Sequence, residues 1–500
     1  MTGDGDKTPG GTGDLLPTIA DVAFHHGQDA NFVLGILNPG PGGSIDQFAT
    51  GDNRANQNAS LLTHQQMWAR NHNFWADRLE KLFPTWTDDQ VFEAARALNE
   101  AEWQKVVYDE YLVKLLGKDA LEKYDGYDPS VNPGVINEWT TVAFRFGHDQ
   151  SSNVFDTLNE NGTTPAAGSF TLAQSFQLAN AANAIRDSGA MDQWVRGQLS
   201  SHTQEIDAKV VDGNRNLLFG IGATVDLEVL DIQRARDHGV GNFQKLYEGL
   251  FKNKPGYNPY DSFEEFAARN GLDADTLAAL KDVYDDDIGK ADSIVLGLLE
   301  KPVGDGMLGE TFAYLTKIQF ENTRDGDRLY YEERLKDSPW LLEQIENTTF
   351  TDIIARTTDI KYLYRDGFAA HERIGGDDGK NTLAGADFGV KKADLLMGYK
   401  GNDYLDGGKG DDDLYGGEGY DVFAFHKGTG HDKIGDFNVK EDKIALYGYG
   451  FKWASQVMAK AETTKDGTVL HLGEDTVEIG GVSLHQLTVK NFILDEPQYA

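Results

Sequence analysis

GYKGNDYLD (398–406), GGKGDDDLY (407–415) and GGEGYDVFA (416–424) follow one another without a gap. They share a nine-residue pattern, G-G-x-G-x-D-x-U-x, in which U is a large apolar residue. GVKKADLLM (389–397) and GDDGKNTLA (376–384) are degenerate earlier copies, separated by an insertion. Each position has a physical reason. Glycine turns the backbone tightly and aims carbonyl oxygens at a cation. One Asp per unit adds a hard carboxylate oxygen. The apolar residue (Leu396, Leu405, Leu414, then Phe423) faces the inside of a parallel β-roll. A flexible linker would not hold Asp and an apolar residue in phase, so the pattern predicts calcium sites. The predicted ligands are Asp394, Asp403, Asp412 and Asp421 with glycine carbonyls.

Outward from the repeats the composition changes at once. Residues 375–421 hold 13 glycines in 47 positions, against 56 in the whole chain of 500, which marks a domain boundary. After Ala424, alternating runs such as DKIALYGYGF and GTVLHLGEDTVEIGGVSL predict β-strands. Before the boundary, from Leu15 to Gly367, helical spacing dominates. Leu61, Trp68, Trp75, Leu79 and Leu82 share a face. Thr87 and Gln90 form a capping box, and the helix they open is expected to run to Gly117. Further helices are predicted at 169–186, 214–220, 226–233, 240–252, 262–270, 276–284, 291–300, 306–322 and 338–357. The predicted fold is a mainly α domain, then a β-roll, then a β-rich tail. Its limits are a flexible leader at 1–14, a helical domain at 15–367, the roll at 368–424 and the tail at 425–500.

Composition narrows the function. Lys and Arg total 46 and Asp and Glu 81, a net charge of −35, which repels phosphates and anionic lipid. With no cysteine, disulfides and thiolate-held metals are excluded. The longest apolar run, Ile294–Leu299, is too short to cross a bilayer. MTGDGDKTPGGTGD (1–14) lacks the basic and apolar regions of a cleaved signal peptide.

The repeats and the β-rich tail resemble RTX proteins exported by type I secretion, a route with an uncleaved C-terminal signal. That resemblance implies secretion, with the type I machinery as a partner and the signal near NFILDEPQYA. A second resemblance rests on GDNRANQN (51–58) with LTHQQMWARNHNFWADRL (62–79), GYDPSVNP (126–133), AFRFGH (143–148), LDIQRARDHG (230–239) and RDGDRLYYEE (324–333). In this order they resemble the animal-type haem peroxidase superfamily over roughly 15–367. By that resemblance His148 is the proximal iron ligand. Arg145 and Arg234 hold the haem propionates. Asp231 accepts the imidazole N–H, and Arg54 stabilises charge as the peroxide bond breaks.

Two departures matter. Family members carry Glu three residues after the distal Arg and link it to haem as an ester. Here that residue is Gln57, so haem b is expected to bind non-covalently. The distal-histidine motif, similar to W-G-Q-x-x-D-H-D, does not occur, and the segment that supplies it is expected to be absent. His25 and His26 in FHHGQD (24–29) are the substitute candidates. The expected function is a secreted haem-dependent peroxidase that reduces hydrogen peroxide and oxidises a phenolic, halide or Mn(II) donor. One alternative is a non-catalytic calcium-binding RTX protein with a truncated haem-binding domain. A third reading, a fatty-acid dioxygenase of the same superfamily, ranks last because no YHWH-like motif is present.

Overall fold

A computed structural model describes residues 58–175, 188–216, 226–385 and 392–494. Arg54, Gln57, His25, His26 and the leader lie outside the described residues, as do parts of the helices predicted at 169–186 and 214–220. The chain forms two compact units. One takes the chain up to Val154, from Phe170, and from Thr203 to Ile353; the other takes Phe155–Ser169, the chain up to His202, and Ile354 onward. The limits drawn from sequence follow composition instead of contacts.

The first unit is helical. Asn58 caps the helix Ala59–Leu82 by accepting the Leu61 N–H at 2.7 Å. Its buried face is Leu62, Met67, Asn71, Trp75 and Leu79, while Leu82, expected on that face, is exposed. The Thr87–Gln90 capping box is present and opens the helix Asp88–Val106. That run continues to Gly117 as expected, but passes through a π-helical turn at Val107–Tyr111 before the last helical turn, Leu112–Leu116. Gly117 ends it at φ +98°, a conformation that disfavours any side chain. The stretch predicted as one helix at 338–357 is two, Pro339–Glu346 and Phe350–Thr357. Thr349 and Asp352 exchange hydrogen bonds that start the second. Between the first two helices, buried Glu102 accepts from Asn71 Nδ2 at 2.7 Å and Trp75 Nε1 at 2.8 Å.

In the second unit each repeat supplies one strand, and successive strands go to alternate sheets. The strands are β1 His371–Gly375, β2 Thr382–Ala384, β3 Ala393–Met397, β4 Tyr404–Asp406, β5 Asp413–Tyr415, β6 Val422–His426, β7 His431–Ile434 and β8 Lys443–Tyr447, then β9 Ala461–Thr463, β10 Gly467–His471, β11 Thr476–Gly480 and β12 Phe492–Leu494. One sheet runs β2-β4-β6-β8-β12, all parallel. The other runs β1-β3-β5-β7-β11-β10-β9, with only the last three antiparallel. Leu396 stands opposite Leu414 in one sheet and Leu405 opposite Phe423 in the other. All four side chains are fully buried between the sheets, as the repeat phase predicts. A segment that sequence pattern did not assign here belongs to this unit. The helix Ser188–Ser200 brings Arg196, and Glu160 accepts from both Arg196 Nε at 2.9 Å and the buried Arg373 Nη2 at 3.0 Å.

Trp75→Phe leaves the buried Glu102 carboxylate without one of its donors. It should lower unfolding stability by about 1–3 kcal/mol in denaturant titration.

Candidate functional site

AFRFGH folds as two short turns. Residues Ala143–Arg145 form a 3₁₀ turn and Phe146–Asp149 one α-turn, placing Arg145 and His148 one turn apart. The helix Leu227–Asp237 is capped by Asp226, whose carboxylate accepts from Glu228 N at 3.1 Å and Val229 N at 3.2 Å. Residues three apart share its face, so Glu228, Asp231 and Arg234 project together.

These elements meet at Asp231, which is fully buried. Its Oδ2 accepts a hydrogen bond from His148 Nδ1. Its Oδ1 accepts from Arg234 Nη1 at 2.5 Å and lies 3.7 Å from Arg145 Nε. The bond at Nδ1 fixes the imidazole tautomer and leaves Nε2 as its only free ring nitrogen among the described residues. Asn214 Nδ2 donates to the His148 carbonyl at 2.6 Å, holding the backbone behind the ring. Arg145 Nε is buried and makes no hydrogen bond among the described residues. A fixed imidazole with a free nitrogen, beside two guanidiniums, suits a haem iron and its propionates.

The structure brings together four of the five residues predicted around haem: Arg145, His148, Asp231 and Arg234. Arg54 falls outside the described residues. Three neighbours were missed. Asn214 is one. Glu228 is the second: one of its oxygens is buried without a hydrogen bond, and burial, then the Asp231 charge, pushes its carboxyl up to about 7. Its place three residues before Asp231 was the available signal. The third is Asp149, also pushed up to about 7 by burial, whose Oδ2 accepts the Asp207 N–H at 2.5 Å. The ligand atoms of His148, Glu228 and Asp231 lie within 4.8 Å of one another. Within that trio the His148 Nδ1 is already bonded to Asp231 Oδ2.

The second candidate site is the row of repeat aspartates. Each predicted ligand is buried. One carboxylate oxygen ties successive turns together: Asn381 N donates to Asp403 Oδ1 at 2.6 Å, Asp394 N to Asp412 Oδ1 at 2.8 Å, and Asp403 N to Asp421 Oδ1 at 2.8 Å. The Oδ2 atoms of Asp403, Asp412 and Asp421 are buried and make no hydrogen bond among the described residues. Each sits where a glycine leaves space. A Cβ on Gly398, Gly407 or Gly416 would lie 2.5, 2.3 or 2.5 Å from the Oδ2 of Asp403, Asp412 or Asp421. The Gly416 carbonyl oxygen borders the space at Gly398, and the Gly407 carbonyl that at Gly385, beside Asp394 Oδ2. Carboxylate and carbonyl oxygens converging on cleared pockets suit calcium.

Sequence reading missed how the row ends. Asp412 N donates to Asp432 Oδ1 and Asp421 N to Asp442 Oδ1, both at 3.0 Å. The second oxygens of these aspartates are already used, by Thr429 Oγ1 and by Asn438 N, each at 2.8 Å. Asp432 and Asp442 therefore continue the ladder with protein donors where a cation would otherwise be needed.

A helical unit with a carboxylate-fixed imidazole, in one chain with a calcium-type β-roll, defines a peroxidase-like, calcium-binding protein. The chain belongs to the Animal haem peroxidase family, which matches residues 25–368. The RTX calcium-binding nonapeptide repeat matches residues 388–423. Peroxinectin A of Dictyostelium discoideum is 34% identical over 330 residues, 65% of this chain and 58% of that protein. Peroxidasin of Drosophila melanogaster is 31% identical over 336 residues, 62% of this chain and 20% of that protein. The chain thus spans less than two thirds of the length of these relatives. Among solved structures, peroxidase A from Dictyostelium discoideum aligns with a TM-score of 0.58 at 31% identity, over 65% of this chain and 60% of that one. The fatty acid alpha-dioxygenase of Arabidopsis thaliana aligns with a TM-score of 0.56 at 17% identity, over 65% and 57%, which is a likeness of fold.

Two predictions follow from the carboxylates. Burial pushes Asp421 up to about 6, Asp432 to about 7 and Asp412 to about 9. The folded roll then holds protons that the unfolded chain releases above the ordinary carboxylate range, so in EDTA its stability falls as pH rises from about 4 toward about 9. Calcium replaces the protons of Asp412 and Asp421, so thermal unfolding followed by circular dichroism should show a flatter pH profile and a higher midpoint with calcium. Equal midpoints with EDTA and calcium at pH 8 would contradict this. Separately, Gly407→Ala puts a methyl against Asp412 Oδ2 and should weaken calcium binding in isothermal titration.

Proposed function

We propose that this chain is a secreted, calcium-dependent haem peroxidase that reduces hydrogen peroxide while oxidising a phenol, a halide or Mn(II). The observation that carries the reading is the Asp231 carboxylate, bonded at once to His148 and Arg234 at positions matching the family motifs. In this reading His148 Nε2 holds the iron, and Arg145 and Arg234 hold the propionates. Bound haem supplies the two-electron reduction of peroxide and returns to rest by one-electron oxidations of a donor.

The chain's own residues do the rest. Asp231 keeps the proton of His148 on Nδ1 and makes the ring a stronger donor through Nε2. Arg234 and Arg145 draw charge away from the same carboxylate and moderate that effect. Arg54 brings a fixed positive charge to the peroxide oxygens as their bond breaks. Gln57 cannot form an ester, so haem b is held without a covalent link. Calcium folds the roll outside the cell, after passage through a type I secretion machinery that reads the C-terminal end.

The dioxygenase reading has the fold in its favour. Against it, Arg145 stands three residues before His148, and no YHWH-like motif supplies a tyrosine there.

The full chain reconstituted with haem should show a Soret band, and peroxide with guaiacol should be turned over. His148→Ala should lose the five-coordinate haem spectrum. Arg54→Ala should keep it and lose ~10²–10³ in peroxidase rate. A Soret band with no turnover would favour the non-catalytic alternative, and no band at all would end the haem reading. The reduction potential tests the proximal residues: Asp231→Asn should raise it, and Arg234→Gln, which removes one of the two cations drawing on the carboxylate, should lower it. An unchanged potential in both variants would remove Asp231 from any role at the iron.

A further inference from the structure

A cavity of about 320 Å³ opens on the helical unit, lined by Tyr108, Tyr124 and Tyr330 among others. Its charged lining is balanced, with Lys118, Lys123 and Arg324 set against Asp109, Glu122 and Glu332. Three phenol rings and no net charge suit a neutral phenolic guest.

The tyrosines are the outer end of a continuous run of rings. Tyr124 lies 4.8 Å from Tyr330 between ring centres, and Tyr330 lies 5.3 Å from Tyr108. Tyr108 lies 5.8 Å from Phe320, and Phe320 lies 5.7 Å from Trp139. Trp139 lies 4.4 Å from Phe144, the neighbour of Arg145 in AFRFGH. The Phe320 ring is a spacer, because benzene is far harder to oxidise than a phenol or an indole. Tyr108 sits in the π-helical turn and donates to the Phe320 carbonyl at 2.8 Å, which fixes its ring. π-helical turns recur at functional sites. Trp139 Nε1 and the Tyr124 hydroxyl are buried and make no hydrogen bond among the described residues. Packing alone would favour Phe at both places, since an unsatisfied buried donor costs stability. What these residues have and Phe lacks is a low oxidation potential.

We propose that this cavity is a second donor site, where a phenol is oxidised at a distance through Trp139, Tyr108, Tyr330 and Tyr124. The inference rests on the peroxidase reading, because the oxidant is the peroxide-oxidised haem group. An electron passes inward along the rings to that group, which is reduced by one electron. Tyr124 gives up its electron last, and its phenol proton moves to a nearby carboxylate, Glu332 or Glu333. A phenol in the cavity then gives its O–H hydrogen atom, one electron and one proton together, to Tyr124. The donor O–H bond breaks, the Tyr124 O–H bond forms, and the carboxylate releases its proton to water. The product is a phenoxyl radical that leaves the cavity.

The test uses the full chain with haem and calcium. Peroxide is added without donor in the presence of the nitrone spin trap DMPO, and adducts are mapped by peptide mass spectrometry. The expected adduct is on Tyr124, and added guaiacol should suppress it. Tyr330→Phe and Trp139→Phe should each lose the Tyr124 adduct while keeping the Soret band. An adduct that persists on Tyr124 in both variants overturns the proposal, as do wild-type adducts confined to other residues. If peroxide changes the Soret band of the wild type and no tyrosine is trapped, the second site fails and the peroxidase reading stands. If no Soret band forms, both fail.

Discussion

Asp231 is a fully buried carboxylate whose two oxygens serve different masters, and the haem-side geometry depends on that division. Oδ2 takes the His148 N–H and Oδ1 takes Arg234, with Arg145 close by. A buried charge is tolerated only when it is paired and hydrogen-bonded. Here the pairing also joins the turn that carries His148 to the helix Leu227–Asp237. Without the carboxylate, two guanidiniums would face each other across an unanchored imidazole. The same bond that satisfies the buried charge decides which ring nitrogen is available.

The roll faces the opposite problem. Its aspartates are as buried as Asp231, but most have no cation to meet them. Backbone N–H groups from neighbouring turns satisfy one oxygen of Asp403, Asp412 and Asp421, and glycines keep space open around the other. That leaves two ways to settle the charge: a proton, at the cost of raised carboxyl pKa values, or calcium. At neutral pH a proton still settles Asp412, pushed up to about 9, but not Asp421, pushed up only to about 6, and calcium settles both. Asp432 and Asp442 show the boundary of the device. Thr429 and the Asn438 N–H take the oxygens that calcium would bind, and the row stops needing metal there.

Much of this was legible in the sequence, for a physical reason. A repeat imposes its period on the structure, so Leu405, Leu414 and Phe423 could be placed inside the roll before any strand was seen. The capping box at Thr87 and the stop at Gly117 are local chemistry and read directly. Non-local packing was not legible. Nothing between Val107 and Tyr111 announces a π-helical turn, which depends on what Tyr108 packs against. On the first helix Trp75 and Leu79 are buried as the spacing predicts, but Asn71, a polar residue, is also buried, on Glu102, while Leu82 is exposed. In the site, AFRFGH and LDIQRARDHG drew attention to His148 and Asp231. Asn214 comes from a distant segment with no motif of its own, and Arg234 shares Asp231 with the imidazole because a carboxylate has two oxygens.

We propose that His148, held by the Asp231 carboxylate, is the iron's protein ligand. Resonance Raman spectroscopy of the haem-reconstituted, reduced protein measures the iron–imidazole stretch directly. This band is expected at the high frequency of a strongly hydrogen-bonded imidazole, and it should shift down in Asp231→Asn. Absence of any iron–imidazole band, or a band at the same frequency in both proteins, would contradict it.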